Sequence, residues 1–556
     1  MLQTEQGRIK QGKDFLPEGL WEVIFISTLA AFPVLQKSLW IVAICINKKR
    51  GLQKLKSKAY SKAPCLCILG TGSDVGKSIV TTAICRFFYK KNIRVAPFKA
   101  QNMSNNSGVT PEGLEMGRAQ IVQAEAAGIP PHVDMNPILL KPTSDVGSQV
   151  VLMGKAFANS TASEYHKKKD ALFKSACEAL DRLRDLYDLV VIEGAGSCAE
   201  VNLMEHDIVN FRLAEYAGAK VILVGDIHRG GIFAQLIGTM QCLSAEQRNM
   251  IAGFIINRFR GDISLFHDGV EWIEKKTGKK IFGVLPYYTH ISIESEDSVV
   301  IENPKTVTVQ DFSTSAIGVL RIPHISNFTD FDPLLKLSGV NLHFLEKPQD
   351  LLYFKGVILP GSKSTRSDLA WLKDSGWINY MEEYVKQGGY ILGICGGYQM
   401  LGEFIHDPQG LEGTPGSTRG LGFLPVETVL KAPKTTTLTR FLHFEEECSG
   451  YEIHMGQTTR KAGNSFLKII SRNQEACMDD DGCITDDSRV IGTYIHGLFD
   501  NPGITKFWFK LMGIDRVETG KAHGLQARSM EYDLLADHFE KHVDMDAINR
   551  LGTEMK

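Results

Sequence analysis

Residues 65–78 have the sequence CLCILGTGSDVGKS, in which an apolar run ends in a glycine-rich turn. The following residues, KSIVTTAICRFFYKK at 77–91, place apolar side chains at the spacing of an amphipathic helix. A buried strand, a glycine turn and a helix in this order form the βα unit that opens a parallel sheet. This stretch therefore predicts an α/β fold with the turn at the carboxyl end of the first strand.

The glycine-rich turn has the composition of a phosphate-binding loop. Glycines let backbone N–H groups approach a polyphosphate, and the start of the next helix adds positive potential. The Lys77 ammonium can meet the outer phosphates and the Ser78 hydroxyl can bind Mg²⁺. The spacing differs from GxxxxGK[ST], because Thr71 stands where the first glycine is expected, and a glycine turn without a ligand is the alternative. The residues predicted to bind ATP are Gly70, Thr71, Gly72, Ser73, Asp74, Val75, Gly76, Lys77 and Ser78.

The rest of the chain predicts two domains of the α/β class, each a doubly wound sheet covered by helices on both faces. Continuous apolar strands alternate with helical spacing, which is typical of parallel sheets. Examples are LVVIEGAG at 189–196 and KVILVGDI at 220–227 in the first series, and AIGVLRIP at 316–323 and RVIGTYIHGLF at 489–499 in the second. The predicted segments are an extension at 1–62, a first domain at 63–300, a linker at 301–314, a second domain at 315–510 and a helical segment at 511–556.

Two acidic residues of the first series are candidates for binding Mg²⁺. Glu193 emerges at the carboxyl end of an apolar strand, where ligands bind in open α/β sheets. Carboxylate oxygens are ligands that Mg²⁺ prefers. Asp207, in EHDIVN, is the second candidate, and its alternative role is to cap the helix that follows.

The stretch ILGICGGYQMLG at 391–402 predicts a nucleophile in a strained turn. An apolar strand, a cysteine among glycines and a helix-like run expose Cys395 at the edge of a sheet and let a carbonyl approach closely. A buried structural cysteine is the alternative. His496 ends another apolar strand and is the predicted base. Gly361 and Gly396 are the predicted backbone donors of an oxyanion hole.

Composition limits the classes of partner. The 62 Lys and Arg residues against 64 Asp and Glu give a net charge of −2, so no global charge favours nucleic acid or an acidic membrane. The 11 cysteines are scattered without paired metal-ligand spacing, which suits a reducing cytoplasm. We therefore expect a cytoplasmic protein without nucleic-acid partners.

The apolar extension before residue 62 is the exception to this uniform composition. Its longest uncharged run, residues 23–36, contains Pro33 and ends before Lys37, and it is shorter than the ~18 residues that a membrane-spanning helix needs. A packed or poorly ordered extension is the favoured interpretation and a membrane anchor is the alternative. A secretory signal is disfavoured, because no net basic segment precedes Leu20.

The two motifs resemble two enzyme families. GTGSDVGKS resembles the dethiobiotin synthetase group, whose members activate a carboxylate with ATP, and this resemblance implies a phosphate contact for Lys99, although a solvated lysine at a strand end is the alternative. ICGGYQ and the strand-borne His496 resemble class I glutamine amidotransferases. Most of those carry Glu two places after the histidine, where this chain has Leu498, as in the cobyrinate-amidating subgroup.

Together these features resemble the cobalamin-pathway amidotransferases, and among them the cobyric acid synthase family. PFKAQNMSNNSGVTPEGLEMGRAQ at 97–120, GDIHRGGIFAQLIGT at 225–239 and IINRFRGD at 255–262 carry the resemblance. It implies amidation of the b, d, e and g carboxylates of adenosylcobyrinic acid a,c-diamide with glutamine, ATP and Mg²⁺, on a corrinoid that brings its own cobalt. The alternatives are a cobyrinic acid a,c-diamide synthase and, more remotely, a nucleotide switch with an inactive second domain.

A chain shortened to begin near Ser61 is expected to keep its solubility and its activity, because the βα pattern starts at Cys65 and the extension supplies no part of either predicted site. Glutamine-dependent amidation and thermal unfolding of the two chains provide the measurement. Loss of folding in the shortened chain would place the extension in the core. Membrane sedimentation of the full chain alone would support the anchor.

Overall fold

The computed structural model describes residues 62–144, 147–294, 315–515, 517 and 522–553. Apart from Lys62, the predicted extension lies outside these residues, and so does the predicted linker at 301–314. None of the helices in the described part of the chain is long and apolar enough to cross a membrane.

The first domain is built on a six-stranded sheet with the order β12-β11-β10-β1-β9-β2, in which every neighbouring pair is parallel. Two smaller sheets have the strand orders β3-β6-β7-β8 and β4-β5. The strands of the three sheets are β1 (Cys65–Gly70), β2 (Val95–Phe98), β3 (Gln101–Met103), β4 (Ser107–Val109), β5 (Glu115–Gly117), β6 (Ile138–Ser144), β7 (Gly147–Leu152), β8 (Lys155–Thr161), β9 (Leu189–Glu193), β10 (Lys220–Asp226), β11 (Ile251–Phe259) and β12 (Lys280–Pro286).

Helices cover both faces of this sheet. Alternate side chains of β1 enter two separate cores, since Cys65 and Leu69 belong to one hydrophobic cluster and Leu66 and Ile68 to the other. The prediction of a doubly wound sheet is confirmed for this domain. The helices are α1 (Lys77–Lys90), α2 (Arg118–Ala126), α3 (Ala162–Leu186), α4 (Phe211–Ala217), α5 (Ile232–Cys242), α6 (Ala245–Met250) and α7 (His267–Thr277).

The second domain repeats this architecture around a sheet with the order β14-β13-β15-β16-β24-β23. All neighbours are parallel except β23 and β24. The elements of this sheet and its helices are β13 (Ser315–Leu320), β14 (Val340–Leu345), β15 (Gly356–Leu359), β16 (Tyr390–Ile394), β23 (Cys483–Ile484), β24 (Val490–Thr493), α8 (Asp332–Leu335), α9 (Thr365–Asp374), α10 (Trp377–Lys386), α11 (Gly396–Leu401) and α12 (Pro502–Leu511).

Between α11 and β23 the chain forms an additional, mostly antiparallel sheet that the sequence patterns did not predict. Its long strands carry mixed polar and apolar residues, and the burial along β19 does not alternate cleanly. Its strands are β17 (Phe404–Asp407), β18 (Gly416–Arg419), β19 (Val426–His443), β20 (Glu446–Arg460), β21 (Leu467–Arg472) and β22 (Glu475–Asp481).

The carboxy-terminal helices, α13 (Gly524–His542) and α14 (Met545–Thr553), return to the first domain. Leu535, Phe539 and Ile548 are fully buried in the same hydrophobic cluster as β1 and α1. Arg86 of α1 adds an ion pair to Asp533 at 2.8 Å. The first domain therefore receives part of its core from the end of the chain.

Candidate active site

The predicted phosphate loop joins β1 to α1, as the sequence indicated. Gly76 has a φ of 97°, and a Cβ there would lie 2.1 Å from the amide nitrogen of Asn257, so only glycine fits. Helix α1 begins directly after Gly76, so the backbone N–H groups of its first turn lie at the loop. These N–H groups form the kind of site that binds a phosphate.

The Lys77 side chain connects the phosphate loop to the segment that follows β9. Its side chain is 7% exposed, and its Nζ donates to the carbonyl oxygens of Gly72 and Gly196, each at 2.9 Å. Gly72 belongs to the loop, whereas Gly196 follows β9. The ammonium group therefore bridges the two strand ends that frame the loop.

Glu193 is the centre of a buried polar cluster beside the loop. Its side chain is fully buried, and its Oε1 accepts hydrogen bonds from Ser78 Oγ at 2.9 Å and Lys99 Nζ at 3.0 Å. The side chain of Gln123 donates to the other oxygen. Ser78, Lys99 and Glu193, predicted separately, thus meet at one point. Gln123 was not predicted, because its buried amide lies within a helix whose sequence shows no motif.

The outer side of the loop is closed by β11. Asn257 donates to the carbonyl of Val75 at 3.0 Å, and Arg258 pairs with Asp74 at 3.1 Å and with Asp226 at 2.9 Å. The sequence analysis did not assign a role to either β11 residue. Their signal was their position at the end of an apolar strand in IINRFRGD.

A cavity of about 800 Å³ opens in front of these groups and is lined by Lys77, Lys99, Glu193 and Asp207. The Asp207 carboxylate accepts hydrogen bonds from the backbone N–H groups of Val209 and Asn210 at 2.9 and 3.0 Å. Burial raises the pKa of Asp207, although these N–H groups act against that rise. The following helix, α4, begins at Phe211 and has Asn210 at its N-cap, so the alternative role of Asp207 as that N-cap is wrong. Asp207 lines the cavity, and its role in binding Mg²⁺ stays a prediction.

The oxygen atoms of Ser78 and Glu193 are suitable ligands for a magnesium ion. A hydroxyl oxygen and a carboxylate oxygen 2.9 Å apart lie at the phosphate-binding end of the cavity. Mg²⁺ prefers oxygen ligands and is usually held by one or two protein groups together with substrate phosphates. Ser78 and Glu193 supply two such groups.

In the second domain Cys395 occupies the strained turn that its neighbours indicated. It lies between β16 and α11 with a φ of 52°, which is rare for a residue other than glycine. A Cβ on Gly397 would lie 1.9 Å from the carbonyl oxygen of Leu359, so the turn needs that glycine. The cysteine is 5% exposed, and it lines a cavity of about 330 Å³.

His496 lies beside Cys395 and is paired with an acid that the sequence analysis missed. Its Nδ1 is 2.7 Å from Oδ2 of Asp330, and because a carboxylate only accepts, Nδ1 carries the proton. The second oxygen of Asp330 accepts from the backbone N–H of Gly497 at 2.9 Å. His496 and Asp330 are 0% and 4% exposed, so the pair is shielded from solvent.

This surrounding favours the imidazolium form of His496. Burial of the ring lowers its pKa, but the charge and hydrogen bond of Asp330 and the neighbouring Cys395 sulfur outweigh burial and raise the pKa of His496 to about 10. A cysteine nucleophile, an imidazole and a carboxylate that orients the imidazole form the arrangement of a catalytic triad. Asp330 contacts His496 in the way expected of the acid of such a triad, whereas Leu498 is apolar and cannot make this contact.

The two predicted oxyanion donors, Gly396 and Gly361, lie near different members of the triad. Gly396 lines the cavity as the first residue of α11, and the backbone of Ser362 packs against it. Gly361 lies beside the His496 ring, where an added Cβ would be 3.1 Å from Cε1. The role of both glycines stays a prediction.

Both domains line the cysteine cavity. Lys141, Thr143 and Gln149 of the first domain face it together with residues of the second domain. Lys141 and Lys434, one from each domain, both pair with the buried carboxylate of Glu115, at 2.8 and 2.7 Å. Burial alone would raise the pKa of Glu115, but the two ammonium groups hold that pKa far below its ordinary value.

Two known families match the chain, one in each of the two domains. Residues 66–299 match the family described as the CobQ/CobB/MinD/ParA nucleotide binding domain. Residues 316–504 match the family described as the CobB/CobQ-like glutamine amidotransferase domain. The protein is a glutamine amidotransferase joined to a P-loop nucleotide-binding domain, and the predicted fold class is confirmed.

Relatives that match over nearly their whole length identify the family of this amidotransferase more narrowly. Cobyric acid synthase of Chlorobaculum tepidum is 50% identical over 493 residues, which cover 87% of this chain and 97% of that protein. Those of Chloroflexus aurantiacus and Syntrophobacter fumaroxidans are 45% and 44% identical and cover 99% and 98% of their own lengths. The chain belongs to the cobyric acid synthase family.

Replacing Cys395 by serine is expected to abolish glutamine-dependent amidation while activity with high ammonium chloride at alkaline pH persists. A serine hydroxyl does not ionise as a thiol does, and free ammonia bypasses the glutamine half-reaction. Parallel product assays with the two nitrogen sources provide the measurement, with Cys477→Ser, a partly exposed cysteine of the same domain, as control. Full glutamine-dependent activity in Cys395→Ser would show that Cys395 is only a packing residue.

The Asp330→Asn substitution is expected to lower glutaminase kcat by about 10²–10⁴-fold, because His496 loses the group that orients it. Without this negative charge the pKa of His496 falls, so the imidazolium is lost at lower pH and the alkaline limb of the kcat/KM profile moves to lower pH. Ammonia-dependent amidation should be unchanged. A kcat within threefold of the parent enzyme would exclude Asp330 from the triad.

Proposed function

We propose that the protein uses ATP and glutamine to amidate the b, d, e and g carboxylates of adenosylcobyrinic acid a,c-diamide. The supporting observation is that one chain contains both a P-loop site with a buried Glu193 cluster and a Cys395–His496–Asp330 triad. Glutamine-dependent, ATP-driven amidation is also the activity of the family to which the chain belongs.

In the first half-reaction the triad releases ammonia. The Cys395 sulfur attacks the side-chain carbonyl carbon of glutamine, and His496 gives a proton to the departing ammonia. The backbone N–H of Gly396 stabilises the oxyanion. Water then hydrolyses the glutamyl thioester, which yields glutamate and restores the thiol.

In the second half-reaction the carboxylate of the corrinoid is made electrophilic. Transfer of the γ-phosphoryl group of ATP gives an acyl phosphate and ADP, and ammonia displaces inorganic phosphate to form the amide. Lys77 and the N–H groups at the start of α1 stabilise the charge on the phosphates. Mg²⁺ held by Ser78 and Glu193 would neutralise further phosphate charge when bound.

Mass spectrometry of a corrinoid reaction with ATP, Mg²⁺ and glutamine tests the proposed substrate. Four successive carboxylate-to-amide conversions of the a,c-diamide are expected. Consumption of cobyrinic acid itself, with conversion of only two carboxylates, would instead identify a cobyrinic acid a,c-diamide synthase. Glutamine hydrolysis without any amidation would favour a different acceptor.

The Lys77→Ala substitution is expected to lower amidation by about 10²–10³-fold with either glutamine or ammonia, because a preorganised positive charge on the phosphates is lost. Most glutaminase activity should persist, since Lys77 lies in the other domain. Lys174→Ala, an exposed lysine of α3, is the matched control. Normal amidation by the Lys77→Ala enzyme would show that this loop is not the ATP-binding site.

A further inference from the structure

The segment that carries Asp330 is bonded to the first domain. Asn327 is 2% exposed, has a φ of 54°, and directly precedes the short turn Phe328–Phe331 that contains Asp330. The Oδ1 atom of Asn327 accepts the backbone N–H of Ser107 at 3.0 Å. In return the backbone N–H of Phe328 donates to Oδ1 of Asn106 at 3.0 Å. We call this reciprocal pair, Asn106–Ser107 with Asn327–Phe328, the asparagine clasp.

The first-domain side of the clasp is firmly held. Asn106 and Ser107 are each 1% exposed. The Ser107 hydroxyl donates to Glu115 and accepts from Lys141, both at 2.8 Å. Glu115 in turn pairs with Lys434 of the second domain. A substitution of Asn106 therefore removes one bond of the clasp while Ser107 keeps its other partners.

The second-domain side of the clasp leads directly to the triad. The backbone N–H of Asp330 donates to the carbonyl of Asn327 at 3.0 Å, so the position of Asn327 fixes the start of the turn. The carboxylate of Asp330 then contacts His496 and the N–H of Gly497. Only Thr329 separates the clasp from the acid that orients the catalytic imidazole.

We propose that Asn106 of the nucleotide-binding domain is a positioning residue for glutamine hydrolysis, and that it acts through Asp330. The clasp holds the turn at the position where the Asp330 carboxylate meets His496 Nδ1. The triad of the second domain is complete only when the first domain supplies this contact. This inference rests on the glutaminase part of the proposed function.

Glutaminase assays of Asn106→Ala in the full-length protein test the proposal. We expect kcat to fall about tenfold, within the effect that a displacement of about 1 Å has on a catalytic group. The KM for glutamine should stay the same, because Asn106 does not line the cysteine cavity. Asn105→Ala is the matched control, since the neighbouring Asn105 Oδ1 is buried without a partner among the described residues.

A double-mutant cycle separates positioning from a general structural effect. If Asn106 acts through Asp330, Asn106→Ala should cause no further loss of kcat in the Asp330→Asn enzyme. An equal loss of kcat in both backgrounds, a raised KM, or an unchanged kcat in Asn106→Ala would each overturn the proposal.

Ammonia-dependent amidation confirms that each variant is folded. Asn327→Ala removes the other bond of the clasp and replaces Asn106→Ala in these assays should that variant fail to fold. Because Asn327 lines the cysteine cavity, the KM for glutamine is not a criterion for this variant. An unchanged kcat, or an equal loss of kcat in the parent and Asp330→Asn backgrounds, would overturn the proposal there. A parent enzyme that hydrolyses glutamine but amidates no corrinoid would refute the proposed substrate and leave the comparison of variants intact.

Discussion

The parallel alignment of strands is the constraint on which both sites depend. In a parallel sheet all carboxyl ends lie at one edge, where the backbone turns towards the helices. The triad uses this edge three times, because Asp330, Cys395 and His496 each follow the end of a different strand of one sheet. Gly361, a predicted oxyanion donor, follows a fourth strand of the same sheet. The phosphate loop and Glu193 use the corresponding edge of the other sheet, after the neighbouring strands β1 and β9. Residues that are far apart in the chain therefore meet without long loops.

This constraint explains which parts of the site the sequence could predict. The sequence was sufficient to predict the phosphate loop, Cys395 and Glu193. Each of them lies at the end of an apolar strand and has a chemically distinctive residue there. Asp330 was missed because the motif of related enzymes places the acid two residues after the histidine, whereas here it lies 166 residues before His496. NFTDFDP, the stretch around it, has no periodicity that distinguishes a catalytic acid from a surface one. Only the order of the strands brings it to His496.

Other features depended on tertiary contacts that no local pattern contains. An amphipathic pattern predicts that residues near the carboxyl terminus form helices, but it does not say on which domain they pack. The strands of the antiparallel sheet are rich in threonine and charged residues, and their burial follows from pairing with each other. Likewise Lys141, Glu115 and Lys434 have ordinary sequence surroundings, and their buried cluster exists only because the two domains meet. A buried carboxylate with one missing ammonium partner is costly, so this cluster favours the docked arrangement.

The return of α13 and α14 to the first domain has a topological consequence. The amidotransferase domain is an insertion anchored at both of its ends, since the chain leaves the first domain before residue 315 and re-enters it at residue 524. A domain on one tether can swivel freely, whereas one held at two anchors is restricted to hinging about the line that joins them. A single break in either connection would leave the other intact. After a break between α12 and α13 the two domains would remain one covalent molecule, at a high effective concentration of each for the other. After a break before residue 315 they would be joined only through the packing of α13 and α14 in the core of the first domain.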